Sequence, residues 1–574
     1  MENNKINENL EYYFINPDYK QYMVQYEGDI KGELEKFSGY KVLIIDERYA
    51  IVATKSGINL ELTYKQFSTI IYLLFPELYT LQDIRLSGEE PERMIDIQNP
   101  LGLTGDKTVI AIIGTGIDYL ANEFIGEDGK SRIEMIWDQT IPSNGYYEDI
   151  KVPYGSVYTN KMINNAINVF RNGGNPYNIV PSRDENGHGT SLASIVGGFN
   201  RKSSFKGVAS NCRFIAIKLR ESNHFKREYG INVSLYNLTT IYISLKFLYE
   251  YKLKKQEPIV ILLPLGTNSG NHKGNGILEE YIESLAMSRG IVVVTGTGNE
   301  GANGGHASGV IKKEGEIKVI QLDVDQRQKF LAVEIWVDVP NVMTIEVISP
   351  SGESTGLTPS LLNSEMSYKY ILAETSIEIM YFMPELTSGD ELIRIVFNNL
   401  IPGIWQFRLT GRLIMDGTFN AWLPQKGMLH GNTRFSPFDP YGTSTNPSNS
   451  KFIISIASYN ERNNNIVNFS GVASLEDYID RIDVAAPGVN IVSMSPGNRI
   501  SIVSGTAVSA AIVAGVCALL FEWGIIKGND PYLFAQTLKS YLDRGTYQRK
   551  GDIYPNPQWG YGILDVFQIF RSMI

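Results

Sequence analysis

The 574-residue chain has only two cysteines, Cys212 and Cys517. That excludes a disulfide framework and a cysteine-rich metal centre. Cys517 lies in an apolar run and reads as a buried free thiol. No block of basic residues stands out. A net charge of −10 and a pI near 5.3 argue against nucleic acid as a partner. No apolar h-region follows Met1, so no secretory signal is expected. The chain is therefore expected to be made inside a cell, which leaves a spore or another sealed compartment open. One stretch, Ala507 to Ile526, has membrane-like hydropathy. Glu522 and Trp523-Gly524 interrupt it, so a buried helix is expected rather than a span. No metal or cofactor is expected.

What is present fits a multidomain globular protein. Hydrophobic content of 43% and charge of 20% are ordinary, and the length suggests two to four domains. Residues 1 to about 20 are polar and read as frayed. From Met23 to Leu86 a small α+β module is expected. Its strands are Tyr40–Asp46 and Tyr49–Thr54, with an amphipathic helix over Leu62–Leu74 and a mixed segment over Leu78–Leu86. Ser87–Arg93 is a polar, acidic linker.

Five later stretches carry the chemistry. Lys107–Asp118 is a continuous β-branched run that ends in Gly114-Thr115-Gly116, the pattern of a buried parallel strand with a loop at its C-terminal end. Open α/β sheets place their sites there; read alone, Gly-Thr-Gly is a weak dinucleotide-loop signal. Asp184–Gly198 puts His188 at the opening of a helix, and a lone histidine is most often structural. Ile259–Gly266 and Gly290–Gly301 are further strands, the second leading to Asn299. Ser504-Gly505-Thr506-Ala507 is a tight turn feeding an apolar helix, whose free N–H groups favour negative charge. Between about Ala302 and Arg434, segments alternating at period two and separated by turn residues predict an all-β sandwich.

These stretches, in this order, resemble the motifs of the subtilisin-like proteases. On that resemblance Gly114 stands at the catalytic aspartate, His188 at the histidine, Asn299 at the oxyanion-hole asparagine and Ala507 at the serine. Pro264 replaces the serine of a substrate-pairing Ser-Leu-Gly segment. The inserted sandwich and the N-terminal module together resemble the Csp subtilisin-like proteins of clostridial spore germination. In that family an active member cleaves a cortex-lytic pro-enzyme, and other members are pseudoproteases.

The expected fold is therefore an α/β subtilisin-like domain, with a mostly parallel sheet and helices on both faces. It carries an α+β prodomain and an inserted jelly-roll sandwich. The expected domains are residues 1–95, 96–301, 302–434 and 435–574, with the second and fourth forming one subtilisin-like unit. The resemblance implies a non-catalytic regulator of germination located in the spore. Its partners would be a Csp-type protease, its lytic pro-enzyme, or a small-molecule germinant such as a bile salt or an amino acid. The alternatives are a residual or rewired serine-type hydrolase using His188 and Asn299, or a structural spore protein. The prodomain is expected to stay attached, its junction lying between Ser87 and Asn99 and its C-terminal linker lying in the groove.

Overall fold

The computed structural model describes residues 10–86, 99–142, 146–147, 150–200, 205–358 and 364–573. At its centre is a mostly parallel sheet. The strands run across it in the order Ser156–Thr159, Ile133–Asp138, Arg213–Lys218, Val109–Gly114, Ile259–Leu262, Ile291–Gly296, Ile454–Asn460, Val484–Pro487, Ile563–Leu564 and Thr546–Tyr547. Only the outermost pairings and the short Asn465–Ile466 strand are antiparallel. Val109–Gly114 is buried on both faces, which explains its unbroken apolar sequence. Ile110 and Ile112 pack with the helices His188–Gly197 and Thr506–Phe521. Val109, Ala111 and Ile113 pack with Leu238–Lys255 and Ile277–Ala286 on the other face.

The helix from Thr506 is long and apolar enough to cross a membrane, but here it is the core helix of the domain: every residue from Thr506 to Phe521 is buried. Glu522, which interrupts the run, is buried too. Its Oε2 accepts the amides of Thr104, Gly105 and Asp106 at 2.8, 2.7 and 3.2 Å. A charge that looks like a membrane breaker is thus a dock for the start of the domain. Both cysteines are buried and free.

The N-terminal module starts earlier than its sequence suggests. Leu10–Ile15 is a helix with Tyr13 and Phe14 buried, and Tyr19–Tyr26 is one of the two inner strands of a four-stranded sheet. The predicted helix over Leu62–Leu74 is replaced by Leu60–Thr63, one 3-10 turn, and a strand at Ile70–Leu73. Two causes act together. Glu33 accepts the amides of Ser68 and Thr69, both at 2.9 Å, which fixes a turn there. Ile70-Ile71-Tyr72 then favours the sheet edge.

The inserted domain is two antiparallel sheets of six and four strands enclosing their own core. Its strands include His306–Val310, Glu365–Lys369, Thr418–Trp422 and Arg434–Phe435, which the alternation pattern did not single out. It touches the N-terminal module directly. Tyr72 donates to Glu385 at 2.8 Å, and Arg394 pairs with Glu61 at 3.2 Å.

Candidate functional site

The site lies at the C-terminal edge of the parallel sheet, where Gly114, His188, Asn299 and Ala507 converge. His188 is the first residue of its helix. Asp184 fixes that helix start: one carboxylate oxygen accepts Gly187 N at 2.8 Å, and the other accepts Thr190 N and Oγ1 at 2.9 and 2.7 Å. Gly189 donates to Thr115 Oγ1 at 2.9 Å, which sets His188 beside the end of the Gly114 strand. A side chain cannot be tolerated at Gly189, since its Cβ would fall 2.0 Å from the Gly116 carbonyl. The His-Gly-Thr run is thus a clamp between helix and strand, and each residue in it has a contact that explains it.

The His188 ring is 1% exposed. Its Nε2 faces the Gln82 carbonyl at 3.3 Å. Its Nδ1 has no partner among the described residues. Burial lowers the pKa of the ring, against the opposing pull of the Gln82 carbonyl and of Asp83 and Asp184. At Gly114, a buried position, an added Cβ would meet no atom within 4 Å. Asp118 does not stand in as a carboxylate for His188; its oxygens accept Gly497 N and Leu120 N at 2.8 and 3.1 Å.

Asn299 is held from behind and points forward. Its Oδ1 accepts Thr506 N and Oγ1 at 3.1 and 3.0 Å. That orientation aims Nδ2 into the groove, where it donates to the Asp83 carbonyl at 2.7 Å. Ala507 is fully buried at the second position of its helix. The neighbouring serines are engaged elsewhere. Ser509 bonds Ser458 and the Ala486 carbonyl, and Ser504 accepts Asn490 N.

The groove is filled by the chain itself, with the segment 78–86. Leu78–Leu81 pairs antiparallel with Leu235–Asn237 on one side and Leu265–Gly266 on the other. Arg85–Leu86 pairs with the end of Arg499–Ser504. Pro264 has no N–H to give, but its carbonyl accepts Gln82 N at 2.9 Å. Gln82 is 3% exposed, and its carboxamide is read on both sides. Nε2 donates to Gly296 O and Thr295 Oγ1 at 2.6 and 3.1 Å, and Oε1 accepts Gly296 N at 3.0 Å. Gln425, between the sandwich strands Thr418–Trp422 and Arg434–Phe435, donates to the carbonyls of both Leu78 and Gly266 at 2.8 Å. Sequence reasoning did not single out Gln82, Gln425 or Thr506. A glutamine directly after a short strand carries no local signal; its role exists only once the strand is laid against Gly296. The junction expected between Ser87 and Asn99 falls almost wholly outside the described residues, while the segment in the groove is Leu78–Leu86.

Among the described residues no cluster of His, Cys, Asp or Glu is arranged to hold a metal ion. A cavity of about 360 Å³ flanks the groove segment, lined by Asp83, Arg85, Asn186, Asn299, Glu300 and Gln425 among others.

The sequence pattern of the subtilase family matches residues 105–361 and 430–562. The thermophilic serine proteinase of Bacillus sp. (strain AK1) is 38% identical over 85 residues, 15% of this chain and 21% of that proteinase's length. The CspB protease of Clostridium perfringens superposes with a TM-score of 0.73 at 30% identity, covering 83% of this chain and 94% of that one. Fervidolysin from Fervidobacterium pennivorans, a keratinolytic enzyme related to subtilisin, matches with a TM-score of 0.49 at 12% identity, over 96% and 61% of the two chains.

Proposed function

The chain belongs to the subtilase family, and we propose that within it this protein is a pseudoprotease: a Csp-type homologue that regulates spore germination by binding rather than by cutting. The observation that carries the reading is the pairing of Gly114 and Ala507 around an otherwise built site. A methyl group at 507 offers no nucleophile, so no acyl-enzyme forms. Without a carboxylate at 114, nothing holds the ring proton of His188 on Nδ1, which would leave Nε2 free to act as a base, or balances the charge of the protonated ring. The orphaned Nδ1 and the clear space at the Gly114 Cβ position fit a missing carboxylate. In a subtilisin, loss of the serine alone costs on the order of a million-fold in turnover, and losses within a triad do not add.

Binding is what remains. The groove grips an extended segment on both edges, Asn299 grips its carbonyl, and the prodomain and sandwich present further surface. The proposed partners are an active Csp-type protease or its cortex-lytic pro-enzyme, within the spore, with a bile salt or an amino acid as a candidate signal. Such a signal acts only by binding one state more tightly than another. Two experiments test this. A fluorophosphonate probe is expected to leave the protein unlabelled while labelling an active subtilase beside it. Pull-down from spore extract, with and without germinants, is expected to recover a protease or a lytic pro-enzyme. Labelling, or recovery of neither partner under any condition, overturns the reading.

A further inference from the structure

The space between Gly114 and His188 has a chemistry of its own. A protein interior is close-packed. Yet at buried Gly114 a Cβ-sized atom would stand clear of every described heavy atom to 4 Å, apart from its chain neighbours. The bond from Gly189 to Thr115 places His188 alongside it. The Gln82 carbonyl can only accept, so the proton of the neutral ring sits on Nε2. Nδ1 is then a bare acceptor, on a side chain 99% buried, with no described donor.

The charged groups nearby are already spent. Asp184 is bound to Gly187 and Thr190, and Asp118 to Gly497 and Leu120. Lys218, whose side chain lies against Gly116, is bound to Glu185 and the Arg183 carbonyl. Asp83, whose backbone carbonyl is held by Asn299, acts on the ring only at a distance.

We propose that this space is a binding site for one small monocarboxylic acid, of the size of formate or acetate, taken up together with a proton. The proton resides either on the guest, which then donates to Nδ1, or on the ring, which then donates to the carboxylate. Net charge entering the interior is zero in both cases, which is what a low-dielectric site requires. A carboxylate without the proton would face a lone pair, and a proton without the carboxylate would leave a buried charge unpaired.

The test uses the full chain labelled with ¹⁵N-histidine, with the His188 signals assigned by comparison with His188→Gln. Sodium formate and sodium acetate are titrated against sodium chloride at equal ionic strength, at several pH values. The expected result is a saturable shift of Nδ1 toward the protonated position in formate and acetate but not in chloride or the bulky pivalate. Above the pKa values of both the ring and the acid, affinity is expected to fall about tenfold for each unit of pH rise, as one-proton linkage requires. Gly114→Asp is expected to give the protonated Nδ1 signature without any added acid and to abolish the response. If that variant does not fold, Gly114→Val fills the same space without supplying a carboxylate and is expected to abolish the response alone. No shift beyond that in chloride, a shift independent of pH, or a response that survives both variants overturns the proposal.

Discussion

Two corners of one groove, a few residues apart in space, have gone different ways. At the corner formed by Gly114, His188 and Ala507, contacts are few: a ring with one bonded nitrogen, a methyl group, and a backbone position facing open space. At the corner formed by Asn299, Thr506, Gly296 and Pro264, the side chains of Asn299 and Thr506, the Gly296 N–H and carbonyl and the Pro264 carbonyl are all engaged, most of them with the chain's own segment 78–86. On the reading proposed above, gripping a peptide and cutting it are separable demands on this fold. Gripping needs backbone edges and amides held in place, which the sheet provides. Cutting needs three particular side chains, which the sheet merely presents. The proposed pseudoprotease would lack the second set and keep the first.

The largest effect is expected from rebuilding the poor corner. Gly114→Asp with Ala507→Ser supplies a carboxylate to Nδ1 and a hydroxyl at the helix start. The segment already lies across the site, with the Gln82 and Asp83 carbonyls at His188 and Asn299. Self-cleavage within Gln82–Ile84 is expected, read by intact mass. Ala507→Ser alone is expected to cut at least about ten-thousand-fold more slowly, the order of loss when a triad histidine lacks its carboxylate. Equal rates for the two variants would refute the claim that both corners of the triad matter.

Next comes the rich corner. Gln82→Ala leaves buried Gly296 N without its partner and Gly296 O with only the 3.4 Å contact from Thr295 Oγ1, a cost of about 3 kcal/mol at one to three for each such group. The readout is a lower denaturation midpoint, together with faster hydrogen exchange along Leu78–Leu86 than along Val109–Gly114. Asn299→Ala removes the grip on Asp83 O and the acceptor for Thr506, for about 1–2 kcal/mol by the same measurement. At the bottom of the scale stands Gly114→Ala. Its Cβ meets nothing, so the change in stability is expected within about 0.5 kcal/mol. A Gly114→Ala penalty as large as that of Gln82→Ala would erase the contrast between the corners.

Much of this was legible in the chain itself. The unbroken Val109–Ile113 run, the His188-Gly189-Thr190 triplet and the small residues before Ile512 each announce an element and its place. Their signals are local: burial on both faces, a clamp that tolerates no Cβ, a tight turn. The N-terminal region was harder. Leu10–Ile15 looks like part of a polar tail, because Tyr13 and Phe14 are buried by partners far along the chain, Phe14 stacking with Tyr154. Leu62–Leu74 has helical spacing, and the distant Glu33 carboxylate and the sheet edge break it into turns and the Ile70–Leu73 strand. Gln82 is the extreme case. Nothing around it in sequence marks it, because all its side-chain partners lie more than 180 residues away.

The most direct test of the central claim is the intact mass of the unmodified protein, purified and then held at working temperature for increasing times. A site that grips without cutting predicts one persistent species in which residues 82–84 stay joined, at every protein concentration. A new N-terminus at Asp83 or Ile84, appearing at a rate independent of concentration and abolished by His188→Ala, would contradict it.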